Sequence, residues 1–142
     1  QSVPSRRCII PMSGFYEWDR TDPKRKVPYF VTREDGHVML VAGIWTPSPA
    51  LDGRHTFSLI TRESVDDLSY IHSRSPVELH AEDALEWMCN PVPPLELFAP
   101  DHQPRFVARK VSTLVNSVKN NAESLLDEDV EVIEKNEPNT LF

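Results

Sequence analysis

The sequence predicts an α+β domain that is β-rich, with mainly antiparallel strands forming a barrel- or sandwich-like body and a few short helices. Three observations lead there. Short runs of high β propensity recur along the chain, bounded by Gly, Pro and Asp turn signals. Only one stretch shows clear helical periodicity. At 142 residues, with no internal repeat and no linker dividing the body, the chain has the length of one domain.

The elements follow in order. Cys8 to Pro11 reads as a short strand, Ser13-Gly14 as a turn, and Phe15-Tyr16-Glu17-Trp18 as a second strand. Lys24 to Val27 is a charged loop, and Pro28 to Arg33 is a third strand. Asp35-Gly36 is a hairpin-turn signal joining that strand to Val38–Trp45. Val38–Trp45 is apolar on both faces, which predicts a central strand covered on both sides. Two prolines mark Thr46 to Gly53 as a loop. His55 to Thr61 alternates, with Phe57, Leu59 and Thr61 on one face. Val65 to Ile71 reads as a helical turn. Ala81, Ala84, Leu85 and Met88 form an apolar helical stripe, which Asn90-Pro91 terminates. A shorter helix around Leu95 to Ala99 and a last strand from Arg105 to Val111 complete the pattern.

Composition excludes several classes. The longest apolar stretch, Val38 to Trp45, is too short to span a bilayer as a helix. Two cysteines cannot staple a disulfide miniprotein, and neither collagen nor coiled-coil patterning is present. No signal segment opens the chain, so a cytoplasmic protein or a trimmed one is expected. The formal net charge of −7 argues at first against a nucleic-acid binder. Its position removes that objection. Residues 127–142 form an acidic tail, and without them the chain keeps 16 acids and 14 bases, a net −2. The bases gather at Arg6-Arg7, at Arg20 and Lys24 to Lys26, and at Arg105, Arg109 and Lys110.

Two residues stand out chemically. Glu17 lies mid-strand, where Glu is depleted, on the face of Phe15 and opposite Tyr16 and Trp18. On a covered face, desolvation would suit this carboxylate to proton transfer. The alternative is an exposed edge acid paired with an Arg. His72 sits in Tyr70-Ile71-His72-Ser73-Arg74-Ser75-Pro76-Val77, an imidazole two residues from a guanidinium, and either holds a phosphorylated substrate or is structural. Cys8 and Cys89 are far apart without metal-ligand spacing, the other histidines are scattered, and Cys8 fits a small core residue. With no Gly-rich phosphate loop and no nucleophile-elbow motif, neither metal nor nucleotide cofactor is expected.

Five blocks in order resemble one family. Arg7-Cys8-Ile9-Ile10-Pro11-Met12-Ser13-Gly14-Phe15-Tyr16-Glu17-Trp18 resembles the RCLIPADGFYEW block of the SOS-response-associated peptidase (SRAP) family. Pro28-Tyr29-Phe30 leading to Val41-Ala42-Gly43-Ile44-Trp45, Phe57 to Thr61, Ile71 to Val77, and Val115 to Asn120 resemble its later blocks. The likeness runs from about Arg6 to Leu126, so the domain is taken as residues 1–126 with residues 127–142 as a tail. It implies a protein that binds single-stranded DNA and captures abasic sites as a thiazolidine crosslink, with autoproteolytic and lyase-like activity in the DNA-damage or SOS response. Under it Glu17 is the general acid/base, His72 protonates or orients the sugar oxygens, Thr61 is a pocket wall and Arg74 a phosphate contact. Trp18 is a base-stacking surface or, alternatively, core packing. A monomer in the bacterial cytosol or nucleoid is expected, with no membrane partner.

The family's reactive N-terminal Cys and a pocket Asn have no counterpart among residues 1–142, so a preceding segment is expected to carry them. Ser73 and Ser75 replace the family's usual Asp and Met. Two other functions remain open at this level: a non-covalent DNA-binding module, and a hydrolase using Glu17 and His72 on another substrate.

Overall fold

The structure is a computed structural model that describes residues 5–22, 24–64 and 68–127. Among the described residues, eight strands and one α-helix order as β1 (Arg7–Met12), β2 (Phe15–Asp19), β3 (Val27–Arg33), β4 (Met39–Pro47), β5 (His55–Leu59), β6 (Thr61–Glu63), β7 (Arg74–Pro76), α1 (Ala84–Cys89) and β8 (Phe106–Lys110). They form two three-stranded antiparallel sheets, β1-β4-β5 and β2-β3-β8, and a short β6-β7 ladder. The described sheets do not close into a barrel; the arrangement is sandwich-like.

As its two apolar faces foretold, β4 is the centre of its sheet. Met39 and Val41 join a cluster with Val31, Leu68, Ile71 and Phe106, while Ala42 joins a second with Val77, Leu79, Trp87 and Leu97. Each fully buried aliphatic side chain contributes about 1.5–3 kcal/mol. The first cluster joins the two sheets, and the second seats the helical segment on β1.

Three local expectations are corrected. Asp35-Gly36 does form a turn, with Gly36 at φ 73°, but it is not a hairpin turn. β3 pairs with β2 and β8, whereas β4 pairs with β1 and β5, so the turn passes the chain between sheets. Turn chemistry specifies a reversal of direction; which strands pair is decided by the faces they must bury. The turn at Ser13-Gly14 makes the same transfer. A Cβ on Gly14 would lie 2.5 Å from both Phe30 Cζ and the Val31 carbonyl oxygen, so only glycine fits.

His55 to Thr61 is not one strand. β5 pairs with β4 and β6 with β7, and Ile60 bridges them, donating to the Ala42 carbonyl and accepting from Val77. The third correction concerns α1, whose expected apolar stripe does not face the core. Leu85 and Met88 are 67% and 40% exposed, and the buried residue is Trp87. Its indole donates to the Cys8 carbonyl at 3.0 Å, and Arg7 donates to the Trp87 and Asn90 carbonyls at the helix end. A six-residue helix makes too few turns for a stripe to orient it, so its largest side chain does.

Arg33 and Glu78 form a buried ion pair. Arg33 grips Asp35 with two bonds of 2.8 and 2.5 Å, and reaches Glu78 with one of 3.0 Å. Glu78 is 0% exposed, and its second carboxylate oxygen has no hydrogen-bond partner. Burial pushes its carboxyl up to about 7, against the pull of Arg33. The guanidinium's closest grip is on Asp35, so Glu78 receives only part of its charge.

Candidate functional site

His72 follows the turn at Leu68–Ile71, its amide donating to the Leu68 carbonyl at 3.0 Å. Its ring Nδ1 lies 3.1 Å from the Arg74 amide nitrogen and 3.0 Å from the Arg74 carbonyl oxygen. The amide can donate only to a bare Nδ1 and the carbonyl can accept only from a protonated one, so the two contacts belong to different tautomers of the ring. Arg74, on β7, turns its guanidinium onto β6. Nε donates to Thr61 Oγ1 at 2.9 Å, and Nη2 meets the Thr61 carbonyl at 2.6 Å and Oγ1 at 2.7 Å. Nη1 makes no bond to any described residue, and Arg74 has no carboxylate partner among them. Three of the sequence-predicted residues, His72, Arg74 and Thr61, are thus one hydrogen-bonded group. It presents a pinned cation, without a counter-ion among the described residues and with donors to spare, a geometry suited to an anionic oxygen.

Glu17 is half-buried on β2, on the core-facing side as strand alternation requires. Phe15, two residues earlier, packs edge-on against Phe106 with ring centroids 6.3 Å apart. Glu17 Oε1 accepts only the neighbouring Trp18 amide, at 3.1 Å, and no described Arg or Lys pairs with it. The alternative of a salt-bridged edge acid is therefore not what the structure contains. Across the sheet Glu17 stands opposite Tyr29, and Tyr29 opposite Lys110, so all three side chains share one face. Tyr29 packs edge-on against Tyr70, centroids 6.3 Å apart, two residues before His72. The row Glu17–Tyr29–Tyr70 thereby connects the carboxylate's face to the histidine turn.

The sequence placed Tyr29 in a family block and Lys110 in a basic cluster, but pointed to neither as a site residue. Together with Asp19 and Arg25 they line a cleft of about 420 Å³ on the Glu17 side. Register was the missing information: each lies at an ordinary strand position, and only the pairing of three strands sets Tyr29 opposite Glu17 and Lys110 beyond Tyr29 on the same face.

Trp18 lies on the opposite face of the sheet. It is half-buried and belongs to neither core cluster. Its Nε1 donates to Asn116 Oδ1 at 2.7 Å, and a cleft of about 400 Å³ opens between Trp18, Arg20, Lys26 and Asn116. Cys8 is part-buried within an apolar strand, and burial pushes its thiol above its ordinary value, opposite to what an activated thiolate needs. Among the described residues no group of three His, Cys, Asp or Glu could hold a metal ion, and no helix is long and apolar enough to cross a membrane.

Fold and site together define a sandwich-like β domain with an uncommitted carboxylate and a histidine–arginine group on connected rims. A family model described as "SOS response associated peptidase (SRAP)" matches residues 1–118. The chain belongs to the SRAP family. It is 35% identical to the abasic site processing protein YoqW of Bacillus subtilis, over 87% of this chain and 58% of that protein. To the abasic site processing protein HMCES of Gallus gallus it is 29% identical, over 87% of this chain and 44% of that one. The chain thus spans about half the length of these curated relatives. Among solved structures, a protein from Bacteroides thetaiotaomicron matches with TM-score 0.71 and 21% identity, over 89% of this chain and 58% of that one. A phage-related protein from Bordetella bronchiseptica matches with TM-score 0.57 and 29% identity, over 78% of this chain and 55% of that one.

Proposed function

We propose that this domain supplies the acid/base and phosphate-binding half of a site that captures abasic sites in single-stranded DNA. Its relatives named as abasic site processing proteins support that substrate class. The observation that carries the reading is a pair of opposite charges that find no counter-ion among the described residues: Glu17 without a cation, and Arg74 pinned by Thr61 without an anion.

The reaction needs both. The SRAP resemblance assigns the nucleophile to an N-terminal cysteine amine outside residues 1–142. That amine adds to the ring-opened deoxyribose aldehyde, and the carbinolamine loses water to become an imine. Glu17 protonates the departing hydroxyl and takes back the nitrogen's proton. Addition of the cysteine sulfur across the imine then closes the thiazolidine. Opening of the sugar moves the anomeric hydroxyl's proton to the ring oxygen, and His72 relays it, taking up one proton as it gives the other. Arg74 holds the adjoining phosphate through Nη1. The same carboxylate serves autoproteolytic release of an N-terminal extension, and a lyase-like step on the captured sugar.

Full-length protein mixed with an oligonucleotide bearing one abasic site is expected to give a band shift that survives denaturation. With an intact N-terminus and no such adduct, covalent capture is wrong; a shift seen only in native gels and abolished by salt indicates a non-covalent module. Thr61→Val, which keeps the backbone carbonyl but removes two of Arg74's three bonds, should raise the half-saturating oligonucleotide concentration about three- to tenfold, with a smaller effect on maximal rate. An unchanged half-saturation would show that Arg74 holds no phosphate.

A further inference from the structure

Tyr29 carries a hydroxyl that packing does not explain. Its ring packs against the cluster of Val31, Met39 and Phe106 and stands edge-on to Tyr70, centroids 6.3 Å apart. A phenylalanine would make both contacts. The hydroxyl itself bonds to no described residue. It is not sealed in either: Tyr29 is half-buried, and the buried side-chain nitrogens and oxygens without a partner belong to Arg62, Ser64 and Glu78. A tyrosine held this firmly by its ring ordinarily gives its hydroxyl a partner. This one lines the cleft of about 420 Å³ shared with Asp19, Arg25 and Lys110.

The residue is fixed from two sides. Register sets Tyr29 directly opposite Glu17, on the face the two share. Tyr70, which its ring meets, stands two residues before His72 in the turn that begins at Leu68. Its contacts therefore run both to the carboxylate that handles the imine and to the turn of the imidazole that relays the ring-opening proton. The captured sugar has an oxygen with no holder in that scheme. Ring opening makes C1′ an aldehyde and O4′ a hydroxyl on C4′, and attack of that hydroxyl on the aldehyde reverses it. From the unused phenol, its register opposite Glu17 and its packing on the histidine turn, we infer that Tyr29 is a further catalytic residue. Its hydroxyl hydrogen-bonds the C4′ hydroxyl freed by ring opening and holds the sugar in its open, aldehyde form. Tyr29 makes and breaks no covalent bond and keeps its own proton. A phenol both donates and accepts, which suits a neutral hydroxyl, whereas a cation such as Arg74 suits the phosphate.

Tyr29 has this role only if the domain captures abasic sugars as proposed above, and the test separates the two. Tyr29→Phe keeps the ring contacts, so its melting temperature should not move. Full-length protein is mixed with either of two oligonucleotides at saturation, and the adduct is followed on denaturing gels. One bears a natural abasic site. The other bears at that position an open-chain aldehyde that lacks the C4′ oxygen and cannot cyclise. On the natural site the variant should react about three- to tenfold more slowly than wild type, the weight of one neutral hydrogen bond. The half-saturating concentration should be unchanged. On the open-chain aldehyde the two proteins should react at the same rate. Both substrates are read on one preparation, so a loss of folded protein would slow them alike and cancel in the ratio.

Equal rates for variant and wild type on the natural site overturn the role of Tyr29. So does slowing of the same size on both substrates, which would leave Tyr29 a packing residue. In either case the wild-type adduct keeps the proposed function standing. If wild type forms no adduct with the natural site, the proposed function falls and the role of Tyr29 with it.

Discussion

Glu17→Gln is expected to slow adduct formation with an abasic oligonucleotide by at least about a hundredfold, the lower end of what a positioned general acid/base contributes. The substitution preserves the shape of the side chain and the oxygen that accepts the Trp18 amide, so the melting temperature should stay close to wild type. What it removes is a group that exchanges protons. Carbinolamine dehydration would then depend on water and on His72 alone. Rates are read from denaturing gels over a pH series at saturating oligonucleotide. A variant within threefold of wild type throughout would remove Glu17 from the proton-transfer role. A variant that is equally slow but binds the oligonucleotide far less tightly would make it a positioning residue.

Arg33→Met is expected to destabilise the domain by about 3–5 kcal/mol, because it leaves Glu78 as an uncompensated buried charge. The loss should depend on pH. Glu78 has its carboxyl raised from 4.5 to about 7, so between those values the folded state holds a proton that the unfolded chain has released. Its contribution to stability is complete below the unfolded value and disappears as pH rises through about 7. At about 1.4 kcal/mol per unit, the effect amounts to a few kcal/mol. Urea denaturation at pH 5 and pH 8 checks this. Glu78→Gln should match wild type at pH 5 and exceed it at pH 8. The Arg33→Met penalty should be larger at pH 8, and Glu78→Gln should recover part of it in the double variant. If Arg33→Met costs the same at both pH values, Glu78 does not titrate in this range. Asp35, exposed and held well below the usual carboxylate range by Arg33, contributes little to the contrast at these pH values.

Much of the secondary structure was legible because strand propensity and turn chemistry are local. The strands around Cys8, Phe15, Pro28, Val38 and Arg105 appear within a residue or two of their expected bounds. Strand alternation alone put Glu17 on the face of Phe15 and Trp18 on the opposite one; which of the two faces the core came only from the packing of Phe15 against Phe106. The α1 stripe failed for a reason of scale: over six residues, one buried Trp87 outweighs the periodicity of Ala84, Leu85 and Met88. Glu78 drew no attention in the sequence because nothing local distinguishes a buried acid from an exposed one. Residues 65–67, part of an expected helical turn, and residues 128–142, nearly all of the acidic tail, lie outside the described residues.

By itself the sequence determined the β-rich class, the positions of most strands, the uneven distribution of charge that separates a near-neutral body from an acidic end, and, through five ordered blocks, the family. Tertiary structure alone decided three things. The Asp35-Gly36 turn joins two sheets instead of two neighbours; Arg74 spends its guanidinium on Thr61 while Glu17 meets no described cation; and Tyr29 stands opposite that carboxylate with Lys110 beyond it on the same face. The physical reason is common to all three. Propensity and alternation act over a few residues along the chain, whereas register and ion pairing are settled between strands far apart in sequence, by which faces must be buried together.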